Sequence, residues 1–235
     1  MNRITTIAFD ADDTLWHNEN LFEEHHQKYC QLLSEYHEAK TVEKTLFSTE
    51  MKNLELYGYG VKSFMLSSIE TAIELTQGAI PSEELKRIIE FGQQMLKHPV
   101  ELLDGVEKTI TQLSEDYRLI LITKGDLRDQ ERKIAKSGLS HCFEHTEVVS
   151  EKNVETYSRL FHRLAIEAKQ VVMVGNSLKS DVLPILDLGG VGVHIPYHLT
   201  WEHERIDTTP THHDSFHELS SIRELPELIK GLVTP

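Results

Sequence analysis

Four short runs of branched and aliphatic residues recur along the chain, at 4–9, 119–122, 171–174 and 191–195, each bounded by polar or glycine residues. Runs of this length are strand-sized, and their continuous rather than alternating apolarity predicts strands covered on both faces, as in a parallel sheet. The segments 106–116, 127–137, 155–168 and 178–188 have helical length, so strand and helix alternate. That alternation predicts an α/β core, a parallel sheet with helices on both faces. A chain of 235 residues is long enough to bury it.

Residues 17–98 break the rhythm. They hold no strand pattern, and amphipathic stripes recur there at three and four: Val61, Phe64, Met65, Ser68, Ile69, Ala72 and Ile73, then Leu85, Ile88, Ile89, Gly92, Met95 and Leu96. Ser82 before Glu83 and Glu84 reads as an N-cap with acids against the helix dipole, and His98-Pro99 as the stop of the last helix. Tyr57 to Gly60, YGYG, separates two of these helices. The expected organisation is a core of 1–16 and 99–235 interrupted by a helical insert, 17–98.

Composition narrows the partners. The net charge of −14 excludes the basic footprint that nucleic acid requires, while leaving small anions open to capture by a few local cations and a metal. No run approaches the about 20 apolar residues that span a bilayer, and the N-terminal apolar stretch is cut short by three carboxylates. Two cysteines, Cys30 and Cys142, make no disulfide framework and are expected reduced. A cytoplasmic protein, monomer or homodimer, is the expectation. The fourteen histidines lack zinc-motif spacing, at His25-His26 and in HHDSFH at 212–217 alike.

The polar residues just beyond the apolar runs carry the chemistry. The first run delivers Asp10, the second Thr123 and the third, through Gly175, Asn176; Lys152 lies just beyond the apolar pair Val148-Val149. In an open parallel sheet the C-terminal strand ends share one edge, where ligands bind, so these groups are expected to converge. On these residues the chain resembles the haloacid dehalogenase-like hydrolase superfamily. FDADDTL at 9–15 matches that family's Asp-x-Asp-x-Thr motif, Thr123 in LILITKG the second, Lys152 in SEKN the third, and VGNSLKSD at 174–181 the fourth. The resemblance implies a Rossmann-like three-layer core, with 17–98 in the position of the family's C1-type helical cap, expected to close over the cleft. It also implies a magnesium-dependent phosphatase acting on a small phosphate monoester.

In that reading Asp10 is the nucleophile, splitting a very slow hydrolysis into phosphoryl transfer and aspartyl-phosphate breakdown. Asp12, two residues on in an extended segment, lies on the same side and serves as general acid, then base. Thr123, with the backbone of Lys124 and Gly125, would hold phosphoryl oxygens, and Lys152 would neutralise charge. The resemblance makes the Asp12 carbonyl a metal ligand, beside Asp10, Asn176 and Asp181. The fourth motif departs from the usual Gly-Asp by reading Gly175-Asn176; an amide is an uncharged ligand, so Asp181 is expected to supply more of the anionic field and metal affinity to be modest. Asp13 is expected to be solvated or structural, and Thr14 to cap the turn. Tyr197, His198 and Trp201 in PYHLTWEHE at 196–204 are candidates to shape the entrance. Two alternatives stand beside the phosphatase: a 2-haloacid dehalogenase, against which Asp12 argues, and a non-catalytic binding protein on the same fold.

Overall fold

The computed structural model of the protein describes residues 4–206 and 209–233. After strand β1 (Thr6–Phe9) the chain runs through helices α1 (Glu19–Leu32), α2 (Ala39–Tyr57), α3 (Val61–Leu75) and α4 (Ser82–Lys97). It continues as α5 (Val106–Ser114), β2 (Arg118–Lys124), α6 (Leu127–Lys136), β3 (His145–Val149), α7 (Val154–Arg163), β4 (Val171–Gly175), α8 (Leu183–Asp187), β5 (Val191–His194), β6 (Phe216–Glu218) and α9 (Leu225–Val233). The sheet order is β3-β2-β1-β4-β5-β6, with every neighbouring pair parallel, the Rossmann-like α/β arrangement that the alternation predicts. Connections lead away from β1 in both directions, so the topological switch point lies at its C-terminal end.

The continuous apolarity of the strands has its cause in two separate cores. Ile7, Phe9, Leu119, Leu121, Val172, Val174 and Val193 join Val106, Ile110 and Ile229 in one, while Ala8, Ile120, Ile122, Val171 and Met173 join Tyr157, Leu160, Phe161 and Ile185 in the other. Alternate residues of each strand thus enter opposite layers, and each large side chain so buried contributes about 1.5–3 kcal/mol. Register does the positioning: Phe9 stands opposite Leu121 on one side and Val174 on the other, which brings the next residues of three strands level.

The chain divides into two compact units. One comprises the residues through Glu19, Val100–Lys124 and Gln130 onward; the other, all helical, comprises Asn20–Pro99 with Gly125–Asp129. In the helical unit Tyr29, Leu33, Val42, Leu46, Val61, Phe64, Ala72, Ile88 and Met95 form a separate core. The buried stripe of α3 differs in part from the expected periodicity: Val61, Phe64, Ser68 and Ala72 are buried as expected, but Ser63, Ser67 and Thr71 are buried beside them, whereas Ile73 is exposed. Small hydroxyl residues there admit a close neighbour and can bond within the helix, as Ser68 Oγ does in donating to the Phe64 carbonyl. Ser82 is the first residue inside α4 rather than its cap; Pro81 holds the cap position without a side-chain bond, and the helix ends at His98 as expected. No helix among the described residues is long and apolar enough to cross a membrane. Both cysteines are free.

Candidate active site

Asp10 leaves the sheet directly after β1, its N–H bonded to the Val174 carbonyl at 2.9 Å. It is 7% exposed, and its carboxylate accepts from Lys152 Nζ on Oδ1 and from Thr14 Oγ1 on Oδ2, the latter at 3.0 Å. Lys152, between β3 and α7, also donates to Asp181 Oδ1 at 2.7 Å, so one buried ammonium is shared by two buried carboxylates. Burial pushes the Asp10 carboxyl up to about 6, against the pull of Lys152 and with the help of Asp181. Burial works against the Lys152 charge, but Asp10 and Asp181 outweigh it and hold the ammonium above the usual lysine range.

The fourth motif reaches this point through an irregular turn. After β4 the chain makes a π-helical turn, Leu178–Val182, with the Val182 N–H reaching the Ser177 carbonyl. Asp181, 1% exposed, sits in that turn and accepts the Ser177 N–H on Oδ2 at 3.0 Å. A Cβ on Gly175 would fall 2.1 Å from the same oxygen, which is why glycine ends this strand. Both oxygens of Asp181 are therefore engaged within the protein.

Asn176 faces the Asp10 side of the site. Its carboxamide head lies 3.1 Å from Asp10 Oδ2, 3.3 Å from the Asp12 carbonyl oxygen and 3.2 Å from Thr14 Oγ1. With its NH2 turned to them, the amide donates to all three; with its Oδ1 turned to them, several oxygens meet, the donor set that a hard cation takes. Among the described residues no group of three or more His, Cys, Asp or Glu side chains is arranged to hold a metal ion, so a cation here must draw on neutral oxygens as well as Asp10. The Asn176 and Asp12 carbonyl oxygens fit that need. The backbone carbonyl of Asn176 is in turn met by His194 Nε2 at 3.1 Å, and His194 Nδ1 by Glu218 at 2.9 Å.

Asp12 is placed differently from the strand-alternation argument. β1 ends at Phe9, and residues 10–16 turn back on the Ala11 carbonyl, which accepts from the N–H groups of Thr14, Leu15 and Trp16. The Asp12 carboxylate accepts from Trp16 Nε1 at 2.6 Å, Gln130 Nε2 at 2.8 Å and Lys133 Nζ at 2.6 and 2.7 Å, not from the partners of Asp10. Asp13 is buried rather than solvated. At φ 60 it turns its carboxylate onto the N–H groups of Asn18 and Glu19, capping α1. Thr14, expected to cap the turn, instead uses its hydroxyl to bridge Asp10 and the Asn176 N–H.

Thr123, 1% exposed, ends the buried part of β2. Lys124 is committed to other groups: Nζ donates to Glu204 Oε1 at 2.5 Å and to Ser180 Oγ at 2.9 Å. Gly125 comes next, with φ 139. Glu204 was not singled out by the sequence, and its role rests on a loop that periodicity does not position. Its other oxygen accepts from Ser177 Oγ and Ser180 Oγ, both at 2.6 Å. Burial opposes its charge, but Lys124 and the two hydroxyls hold the carboxyl down at about 2. In the same loop Tyr197 bonds His17 Nδ1 at 2.6 Å and meets His198 ring to ring at a tilt of 44°, and Trp201 lies against His203. Sequence reasoning also passed over Trp16, Gln130 and Lys133; the i, i+3 spacing of the last two on α6 was the available signal.

A buried carboxylate thus stands at the switch point, sharing a lysine with a second carboxylate and backed by a hydroxyl and an amide. A family model of haloacid dehalogenase-like hydrolases matches residues 4–189, and the chain belongs to that family of enzymes. Its relatives include the N-acylneuraminate-9-phosphatase of Mus musculus, 25% identical with 99% of this chain and 96% of that protein covered, and the same enzyme of Homo sapiens at 24% with the same coverage. Among solved structures, a haloacid dehalogenase-like family hydrolase from Xanthomonas campestris is 39% identical with a TM-score of 0.87, covering 98% of this chain and 92% of that one. The fold is shared as well by the magnesium-bound HAD-hydrolase YfnB of Bacillus subtilis, at 17% identity and a TM-score of 0.67, covering 97% of this chain and 100% of that one.

Proposed function

We propose that the protein is a magnesium-dependent phosphatase that transfers the phosphoryl group of a small phosphate monoester to Asp10. The observation that carries the reading is the Asp10 carboxylate itself, buried at the end of the central strand and held on one oxygen by Lys152. Its curated relatives, named as phosphatases, support the same substrate class.

Asp10, ionised at neutral pH, attacks phosphorus in line as the leaving oxygen departs, and Asp12 gives that oxygen a proton. Water then attacks the aspartyl phosphate, Asp12 takes the proton, and Asp10 is regenerated with release of inorganic phosphate. Lys152 neutralises the phosphoryl oxygens, and Asp181 keeps its ammonium charged and aimed. Thr123 and the backbone after it are the proposed phosphoryl contacts, Lys124 serving through its main chain because its ammonium is taken by Glu204. Asp10, the Asp12 carbonyl and Asn176 would hold the ion, with Asp181 adding negative field; when bound, magnesium supplies charge neutralisation between two anions. The helical unit inserted between β1 and β2 is the proposed cap that selects the leaving group.

The test is phosphate release from a panel of phosphorylated metabolites with and without divalent metal, using Asp10→Asn as control. Release by the unaltered protein only with metal, and none by the variant, is expected; equal turnover by both removes Asp10 from the mechanism. One observation favours a second reading, hydrolysis of a carbon–halogen bond: Asn176, turned with its NH2 inward, completes the network around Asp10 without any cation. Halide release from 2-haloacids in metal-free buffer decides for it.

A further inference from the structure

The Asp12 carboxylate is held by more partners than proton transfer alone would need. Lys133 Nζ straddles its two oxygens at 2.6 and 2.7 Å, Trp16 Nε1 adds a bond to Oδ1 at 2.6 Å, and Gln130 Nε2 adds one to Oδ2 at 2.8 Å. Gln130 and Lys133 lie one turn apart on α6 and so share a face of that helix. The same Gln130 Nε2 also donates to the Lys124 carbonyl at 2.8 Å, which ties the end of β2 to the carboxylate. All three partners are buried: Trp16 at 1%, Gln130 at 3% and Lys133 at 9% exposed. The Asp12 side chain is more open, at 20%.

A purely structural ion pair is a poor explanation for this cluster. A lysine and an aspartate taken out of water contribute little net stability, and apolar residues of similar size would serve packing at least as well. Gln130 carries a further cost. Its NH2 faces two acceptors, which fixes the amide orientation and leaves Oε1 buried with no hydrogen-bond partner among the described residues. An unmade bond of this kind, kept beside a reactive group, is the sort of exception that marks a functional constraint.

We infer that Lys133 and Gln130, together with Trp16, are positioning residues that fix the direction in which Asp12 gives and takes its proton. The inference rests on Asp12 being the acid and base of the proposed phosphatase. Donors on both oxygens stop the carboxylate from rotating about its Cβ–Cγ bond. Lys133 donates to both oxygens, Trp16 Nε1 to Oδ1 and Gln130 Nε2 to Oδ2, so the plane of the carboxyl group and the edge it presents are fixed. The open edge of Asp12 is then the place where proton exchange occurs.

General acid catalysis matters in proportion to how poor the leaving group is, and this supplies a test that folding defects do not mimic. The value of kcat/KM, which reports phosphoryl transfer to Asp10, is measured for p-nitrophenyl phosphate and for the best alkyl phosphate of the panel. The proteins compared are the unaltered one, Lys133→Met, Lys133→Arg, Gln130→Met, Trp16→Phe and the benchmark Asp12→Asn. For Lys133→Met a loss of about 10²-fold on the alkyl ester is expected, as for a catalytic group held about 1 Å out of place, with the aryl ester changed only a few-fold. Gln130→Met and Trp16→Phe should show smaller losses of the same selectivity, and Lys133→Arg should recover much of the alkyl activity. Equal losses on both esters in all three neutral variants, or alkyl activity unchanged in all of them, overturns the inference. If instead Asp10→Asn still releases phosphate from both esters, the phosphatase reading itself fails, which is a separate result.

Discussion

Replacing Glu204 by glutamine removes one charge from a buried cluster while keeping the side chain's shape. Glu204 accepts from Lys124, Ser177 and Ser180 and so fastens the loop after β5 to the end of β2 and to the π-helical turn. These donors hold its carboxyl at about 2, against the usual 4.5. At about 1.4 kcal/mol per tenfold change in proton affinity, that depression amounts to about 3 kcal/mol of folding free energy at neutral pH. Because the folded value is the lower one, the contribution is fully present above about pH 4.5 and is lost as the pH falls towards 2; by pH 3 about half remains. The assay is urea unfolding of both proteins at pH 7, 5, 4 and 3. The unaltered protein should be the more stable by up to about 3 kcal/mol at pH 7, with the gap closing through the acid range. A gap independent of pH, or none at pH 7, refutes the argument that charge rather than shape holds this loop.

Gly175→Ala places a methyl group where only 2.1 Å separates it from Asp181 Oδ2, so the carboxylate must move off Lys152. A stability loss of about 1–3 kcal/mol and a fall in kcat of about 10²-fold are expected, measured by urea unfolding and by phosphate release; an active, fully stable variant contradicts the geometry. Asn176→Asp adds a charge among Asp10 and the Asp12 carbonyl, and should tighten magnesium binding about tenfold in calorimetric titration of the metal alone. Unchanged or weaker binding would place the ion elsewhere.

The sheet was legible because its strands are buried on both faces. The runs at 4–9, 119–122 and 171–174 need no partner information to be read as strands, and alternate residues of each do enter two different cores. β6 was not legible, since Phe216–Glu218 carries one aromatic residue and its strand character comes from pairing with β5. The buried stripe of α3 departs from its apolar periodicity for a related reason: burial of Ser63, Ser67 and Thr71 depends on what approaches them, not on their own hydrophobicity.

The sequence by itself determined where these polar groups leave the sheet, because a polar residue directly after an apolar run must emerge at the sheet's edge. Asp10, Thr123, Lys152 and Asn176 were all named in that way. Only tertiary structure decided what those groups touch. It bound Asp181 to Lys152 and the Ser177 N–H, committed the Lys124 ammonium to Glu204, and turned Asp12 onto Trp16, Gln130 and Lys133. The physical reason is that strand ends arise from a local period, whereas hydrogen-bond partners depend on turns and loops whose paths are fixed by contacts between residues far apart in the chain.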